Sequence, residues 1–263
     1  MNERLKPVRR AGHSRADMQA RRSKPPLVNA APPGPVGGQY KPLSDQQIVQ
    51  IYNTSLRMLE ELGMGDAPSQ LVEQATKRGA RLNSMGRLCF PRSLVEDIIA
   101  GACNTFVLHG RDPKHSFEVG GDRVYFGTGG AAVQTLDLDS HLYRPSTLQD
   151  LEAFTRLADT LPNISWFTRC CVPTDLSDIF EMDMNTAYCL MRGTQKPVGT
   201  SFTLSDSVDP IIDMFDWVAG GAGKFSEKPF CKAHISLIIS PLRYAEEAFE
   251  VALACIRRGL PLN

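Results

Sequence analysis

The sequence predicts an α/β chain of the TIM (β/α)8-barrel class, with about the first half of the barrel behind an α+β cap and a disordered basic arm. Three observations predict it. From residue 123 onward, strand-like and helix-like segments alternate with a repeat of roughly 35 residues, the length of a βαβ unit. Such alternation means parallel strands joined by crossover helices. Only about 140 of the 263 residues follow position 122, against about 250 for a complete barrel, and the last of them, Leu260-Pro261-Leu262-Asn263, open a further strand. The expectation is a barrel cut near its midpoint; a small open sheet of five strands is the competing architecture.

The elements divide into three regions: an arm over 1–40, a cap over 41–122 and the half barrel over 123–263. Residues 1–24 hold eight basic side chains against Glu3 and Asp17. The stretch then runs into Pro25, Pro26, Pro32, Pro33 and Pro35 with Gly34, Gly37 and Gly38. That composition buries too little apolar surface to offset ordering entropy, so a solvated arm is expected. Arg9-Arg10 has no apolar run behind it, which gives a twin-arginine export signal no support.

In the cap, Ser44-Asp45-Gln46-Gln47 is a capping box. Behind it Ile48, Ile51, Tyr52, Leu56, Leu59 and Leu62 fall on one helical stripe that Gly63 stops. A second helix starts near Pro68 and ends at Gly79, a hairpin spans Arg81–Phe90, and a third helix covers Pro91–Ala102. Strands are expected at Thr105–His109, Ser116–Val119 and Arg123–Phe126, the last after the turn Gly120-Gly121-Asp122.

The alternating part then gives a helix from Thr147 through Leu148, Leu151, Phe154, Leu157 and Leu161, and a strand over Ile164–Cys171. A helix over about 178–191 and a strand over Val198–Phe202 follow. The next helix is expected to begin at Pro210, with Ser205 or Asp209 as cap. A strand over Ala233–Ile239 leads to a helix that Ser240 caps and Pro241 opens, running to Arg258 with Gly259 just past it.

Composition excludes several functions. Basic and acidic residues balance at 29 each, so no whole-molecule field favours nucleic acid or an anionic membrane. No run of about 18 apolar residues is present to span a bilayer. The seven cysteines are scattered without a C-x-x-C or a zinc-like spacing, which reads as buried, reduced thiols in a cytoplasmic protein.

Among local motifs, Gly127-Thr128-Gly129-Gly130 directly follows a strand, where glycines let backbone approach a ligand. It is no dinucleotide fingerprint, because Ala132 stands where the third glycine belongs and no helix opens there; nor is it a phosphate loop. Asp137 and Asp139 lie in a hairpin with only His141 near as a third ligand, so no metal is expected. His109, His115 and His13 read as structural or solvated. His234, inside a predicted barrel strand, can face the barrel mouth. Trp166, Phe167, Phe202, Phe215 and Trp217 fall near strand ends and following helices, where they either fill core or form an aromatic cage of the kind that holds quaternary ammonium groups.

Taken together, several of these segments resemble the trimethylamine methyltransferase superfamily. They are Arg9-Arg10, Tyr125-Phe126-Gly127-Thr128-Gly129-Gly130-Ala131, Asp137-Leu138-Asp139 and Arg144-Pro145-Ser146-Thr147-Leu148-Gln149-Asp150-Leu151. Lys196-Pro197, Ile239-Ser240-Pro241-Leu242 and Arg258-Gly259-Leu260-Pro261-Leu262 complete the set. Their order covers residues 40–263. The resemblance implies a (β/α)8 barrel that moves a methyl group from a methylated amine, such as trimethylamine or glycine betaine, to a cobalamin-type corrinoid on a cognate corrinoid protein. It implies no cofactor held by the chain itself, and members about twice this length. Thr128, Gly129, Gly130, Phe202 and His234 are the expected substrate-facing rim, and no catalytic residue is assigned. Two other classes compete: a barrel enzyme acting on a small carbonyl or phosphorylated substrate, and a non-catalytic binding or assembly fragment. Exposed sheet edges would favour a homo-oligomer.

Overall fold

The structure, a computed structural model, describes residues 32–263 together with Gln19 and Asn29. Most of the expected arm therefore lies outside the described residues, and the compact unit considered below runs from Pro33 to Asn263. The end of the arm is tied down. Val36 bridges Arg123 in antiparallel fashion, the Gly34 and Gly37 N–H groups donate to the carbonyls of Val124 (3.0 Å) and Asp122 (2.7 Å), and Val124 N–H donates to Pro35 O (2.9 Å). Composition hides this pairing, because backbone groups make it whatever the side chains.

Helix α1 (Asp45–Arg57) begins at the expected capping box: Ser44 Oγ accepts from Gln47 N–H at 3.3 Å, and the Gln47 carboxamide oxygen accepts from Ser44 N–H at 2.9 Å. A π-turn over Met58–Leu62 ends at Gly63, whose φ is +71°. Then come α2 (Ser69–Thr76), the hairpin β1 (Arg81–Leu82) with β2 (Leu88–Cys89), and α3 (Arg92–Ala100). Of the α1 helix's apolar positions only Leu56 is buried. Strands β3 (Thr105–Leu108) and β4 (Phe117–Gly120) form a second antiparallel hairpin.

Strand β5 (Phe126–Gly127) opens the alternating part. Behind it come the hairpin β6 (Gln134–Leu136) with β7 (Tyr143–Pro145), then α4 (Leu148–Thr160) and β8 (Ile164–Thr168). Next are α5 (Ile179–Gly193), β9 (Val198–Thr200), α6 (Val208–Ala219), α7 (Lys224–Glu227) and β10 (Cys231–Ala233). The hairpin β11 (Ile238–Ile239) with β12 (Arg243–Tyr244) and α8 (Glu246–Arg257) follow. The sheet order is β5-β8-β9-β10 with every pair parallel. Leu262 adds a parallel bridge to Ala233.

Strand alternation sorts side chains onto two faces. Phe167, Val198, Cys231 and Ala233 join the main core with Leu151, Leu190, Ile211, Phe215, Val251 and Cys255 from the helices. Phe215, Phe225 and Phe230 meet there with ring centroids 5.1–5.3 Å apart. Each such buried ring contributes about 1.5–3 kcal/mol by area burial. Trp166, Thr168, Gly199 and Lys232 alternate with core residues and so lie on the opposite face.

Three expectations are corrected. Helix α6 starts at Val208, two residues ahead of Pro210, and follows a 3-10 turn over Ser205–Ser207, so neither Ser205 nor Asp209 caps it. Pro210 sits in the first turn, where its missing N–H costs nothing. The strand expected over Ala233–Ile239 ends at Ala233, and Ser240 and Pro241 turn the β11–β12 hairpin while α8 begins at Glu246. That hairpin is held by the cap: Gly65 N–H donates to Leu242 O (2.8 Å), Tyr244 N–H to Gly65 O (2.9 Å), and Arg87 Nη2 to Leu242 O (2.9 Å). No local signal contains those distant partners.

Candidate functional site

The expected rim residues follow the carboxyl ends of β5 (Thr128, Gly129, Gly130), β9 (Phe202) and β10 (His234). At the end of β5 the Thr128 hydroxyl donates to Thr168 O at 2.7 Å and accepts from Thr168 N–H at 2.9 Å. Its side chain thus extends the β5–β8 ladder past the last backbone pair. Gly129 and Gly130 follow in an exposed loop; Gly130 has φ +94°, and nothing lies within 4 Å of where its Cβ would be. The loop returns to β8 when Ala132 N–H donates to Cys170 O at 3.0 Å and Val172 N–H to Ala132 O at 2.8 Å.

Thr128 and Gly129 border a cavity of about 580 Å³ that also takes in Cys170 and Cys171, Phe154 from α4 and Leu136 from β6. The Cys171 thiol, hydrogen-bonded to its neighbour, lowers the Cys170 pKa, and the same contact raises that of Cys171. Asp137 turns away from any such chemistry. Its carboxylate accepts from Ser140 N–H and Oγ–H at 2.9 Å each and from Arg144 Nε at 3.2 Å. The Ser140 bonds, then Arg144, hold its pKa down at about 2. Among the described residues no three His, Cys, Asp or Glu side chains are grouped to hold a metal ion.

The remaining two rim residues differ in setting. Phe202, past β9, is buried in the main core at 8% exposure. His234, past β10, is exposed, and its Nδ1 lies 2.8 Å from Asn263 Oδ1. Lys232 Nζ donates to the same oxygen at 2.8 Å. An ammonium only donates, so the Asn263 atom is the acceptor and His234 Nδ1 carries a proton. In neutral His234 the Nε2 lone pair is then left for a ligand.

Sequence reasoning missed two charged side chains on these strands. Arg169 follows β8 directly and is buried at 8% exposure, yet its Nε and Nη1 have no hydrogen-bond partner among the described residues. Burial pushes its pKa down, and Asp183 is its main opposing charge. The Asp183 carboxylate is itself taken by Thr203 N–H (2.8 Å), Thr203 Oγ–H (3.0 Å) and Leu204 N–H (3.2 Å). Lys232 lies in the middle of β10 with its ammonium 4.1 Å from the centroid of a Trp166 ring. A charged residue flanked in a strand by two buried ones was the available signal for it.

The family model for trimethylamine methyltransferase (MTTB) matches residues 9–263. The chain belongs to that family. It is 30% identical over 221 residues to the trimethylamine methyltransferase MttB of Desulfitobacterium hafniense (strain DSM 10664 / DCB-2), an alignment that takes in 84% of this chain and 44% of that protein. It is 26% identical over 224 residues to the glycine betaine methyltransferase of Desulfitobacterium hafniense (strain Y51), covering 84% of this chain and 46% of that protein. The chain spans about half the length of these curated relatives. No helix among the described residues is long and apolar enough to cross a membrane.

Proposed function

We propose that this chain supplies the cap and first barrel strands of a methyltransferase that moves a methyl group from a methylated amine to the corrinoid of a partner protein. The family match over residues 9–263 carries this reading, and the names of both relatives point to tertiary or quaternary amines. In the proposed barrel, the four parallel strands and Leu262 form one half of the wall. Their carboxyl ends form half of the mouth, where barrel enzymes hold their substrates.

The chemistry asks for orientation more than for proton transfer. A Co(I) corrinoid on the partner protein would supply the nucleophile that accepts the methyl group. The C–N bonding electrons stay on nitrogen, so a quaternary ammonium, or a tertiary amine already protonated, leaves as a neutral amine. A quaternary nitrogen needs no proton for that. The protein's part is to hold the methyl group at near-attack distance and exclude water. Gly129 and Gly130 fit the role of an open backbone edge, anchored by the Thr128–Thr168 bonds. His234 Nε2, at the end of β10 on the other edge of the sheet, offers an acceptor. The seven cysteines, all free, fit a reducing cytoplasm, as Co(I) requires.

The test is turnover by the protein with its corrinoid partner, a reductant, and a panel holding trimethylamine, glycine betaine, choline and tetramethylammonium. The expected result is methyl-cobalt absorbance with equimolar demethylated amine. No methyl-cobalt signal from any amine in the panel sinks the proposal.

A further inference from the structure

Asp183 carries a charge into the core-facing stripe of α5. Ala187, Leu190 and Met191 continue that stripe at helical spacing within the main core, and Asp183 itself is fully buried. A buried carboxylate is costly unless it is hydrogen-bonded. Among the described residues its donors all come from the segment just past β9: Thr203 N–H at 2.8 Å, Thr203 Oγ–H at 3.0 Å and Leu204 N–H at 3.2 Å. Arg169, behind the end of β8, faces it with the opposite charge.

That segment is pinned on two sides. Phe202, beside Thr203, is packed into the main core, and Val198 and Thr200 are buried on the same face of β9. Alternation puts Gly199 and Ser201 on the opposite face, where a Cβ at Gly199 would stand 2.7 Å from Thr168 Oγ1. Ser201 is therefore the side chain that β9 turns inward at the mouth, in the place the sequence suggests for Phe202. Helix α5 starts at the same mouth, because a crossover helix leaves from the carboxyl end of its strand. The whole arrangement lies with β8 and β9, the two central strands of the sheet. Neither the free edge of β5 nor the last residues of the chain take part.

Resting on the methyltransferase reading, we propose that Asp183 is a positioning residue: it holds the Thr203–Leu204 segment so that Ser201 meets the methylated amine in one fixed place. Asp183 never touches the amine; it acts through the segment it binds. A misplacement of about 1 Å at such a point costs roughly a hundredfold in rate, and three bonds to one carboxylate prevent it.

Three variants separate placement from folding. Asp183→Asn keeps an acceptor oxygen and loses the charge. Thr203→Val removes only the hydroxyl bond, at an exposed residue where the fold is little affected, and Thr203→Ser keeps that bond. Circular dichroism confirms that each is folded under the assay conditions. Turnover is then measured with trimethylamine and glycine betaine, the corrinoid partner and a reductant. The expected result for Thr203→Val is a loss of roughly tenfold or more in kcat, the scale of a hydrogen bond to a charged group. Thr203→Ser should keep near wild-type kcat, and Thr203→Val should add little in an Asp183→Asn background, since both act through one segment. Hydrogen exchange of the Thr203 and Leu204 amides, followed by mass spectrometry, should quicken in Asp183→Asn. A purely structural bond would move the urea midpoint and leave kcat of the folded variants alone. Full kcat in folded Thr203→Val, or unchanged exchange at both amides in Asp183→Asn, overturns the proposal. No turnover by the wild-type protein is a different failure, since it removes the methyltransferase reading and the proposal with it.

Discussion

Gly127 and His234 are each fixed by one neighbour, and each makes a testable case. Gly127 pairs with β8 while the Trp166 indole fills the space its Cβ would need, at 2.2 to 2.5 Å. Backbone on one side and a fused ring on the other leave nothing to yield cheaply. Gly127→Ala should therefore destabilise the fold by about 1–3 kcal/mol, the usual cost of overpacking. The urea midpoint measures it, and Trp166→Leu in the same chain should recover part of the loss, since the two sites are in contact. For His234, the Lys232–Asn263–His234 arrangement predicts the Nδ1–H tautomer in the neutral ring. Nitrogen-15 NMR of the labelled chain, assigned with His234→Gln, should show a protonated Nδ1 and a bare Nε2; Asn263→Leu should release that preference. An Nε2–H tautomer in the unaltered chain would contradict it.

At the scale of elements, the helix starts that were legible are those written in adjacent residues. Ser44 with Gln47, and Thr147 with Asp150, form capping boxes in which each member satisfies the other's backbone. The start of α8 was not legible, because Gly65, Arg87 and Leu242 decide it across more than 150 positions. The candidate site was only partly legible for the same reason. Thr128 and the glycines stand out beside a strand, whereas Asn263 reaches His234 and Lys232 only through the register of neighbouring strands. The α4 cap also carries a pH prediction. Arg144 on β7 forms a two-bond pair with the Asp150 carboxylate at 2.7 and 2.8 Å, and this pair, ahead of the Thr147 bonds, holds the Asp150 pKa well below its ordinary value. A depressed carboxylate contributes stability above its unfolded pKa of about 3.9, and that contribution is lost as pH falls toward the folded value. Asp150→Asn should thus lower the urea midpoint at pH 7, and the gap to wild type should narrow as pH drops below about 4. An unchanged gap between pH 7 and pH 3 would show that Asp150 is not the titrating group.

At the scale of the whole molecule, the alternation of strands and helices was enough to give parallel order, because crossover helices leave few other topologies. What the alternation does not contain is how the apolar surface outside the main core is covered. Ile48 and Ile51 on α1 and Ile98 and Ile99 on α3 are all more than half exposed, and Phe126 on the edge strand β5 is 49% exposed. Contiguous apolar surface and an unpaired strand both favour association. The 263-residue chain on its own should therefore sediment as dimers or larger species whose share grows with concentration. The two sources separate by substitution. If the cap face drives association, Ile48→Lys with Ile51→Lys shifts the distribution toward monomer, since the two side chains lie on exposed turns of α1 and a charge there costs the fold little. If the edge of β5 drives it, the same pair leaves the distribution unchanged and Phe126→Lys shifts it. A single monomeric boundary at every concentration would mean that neither surface is sticky, and that the exposed isoleucines are tolerated singly as ordinary surface residues.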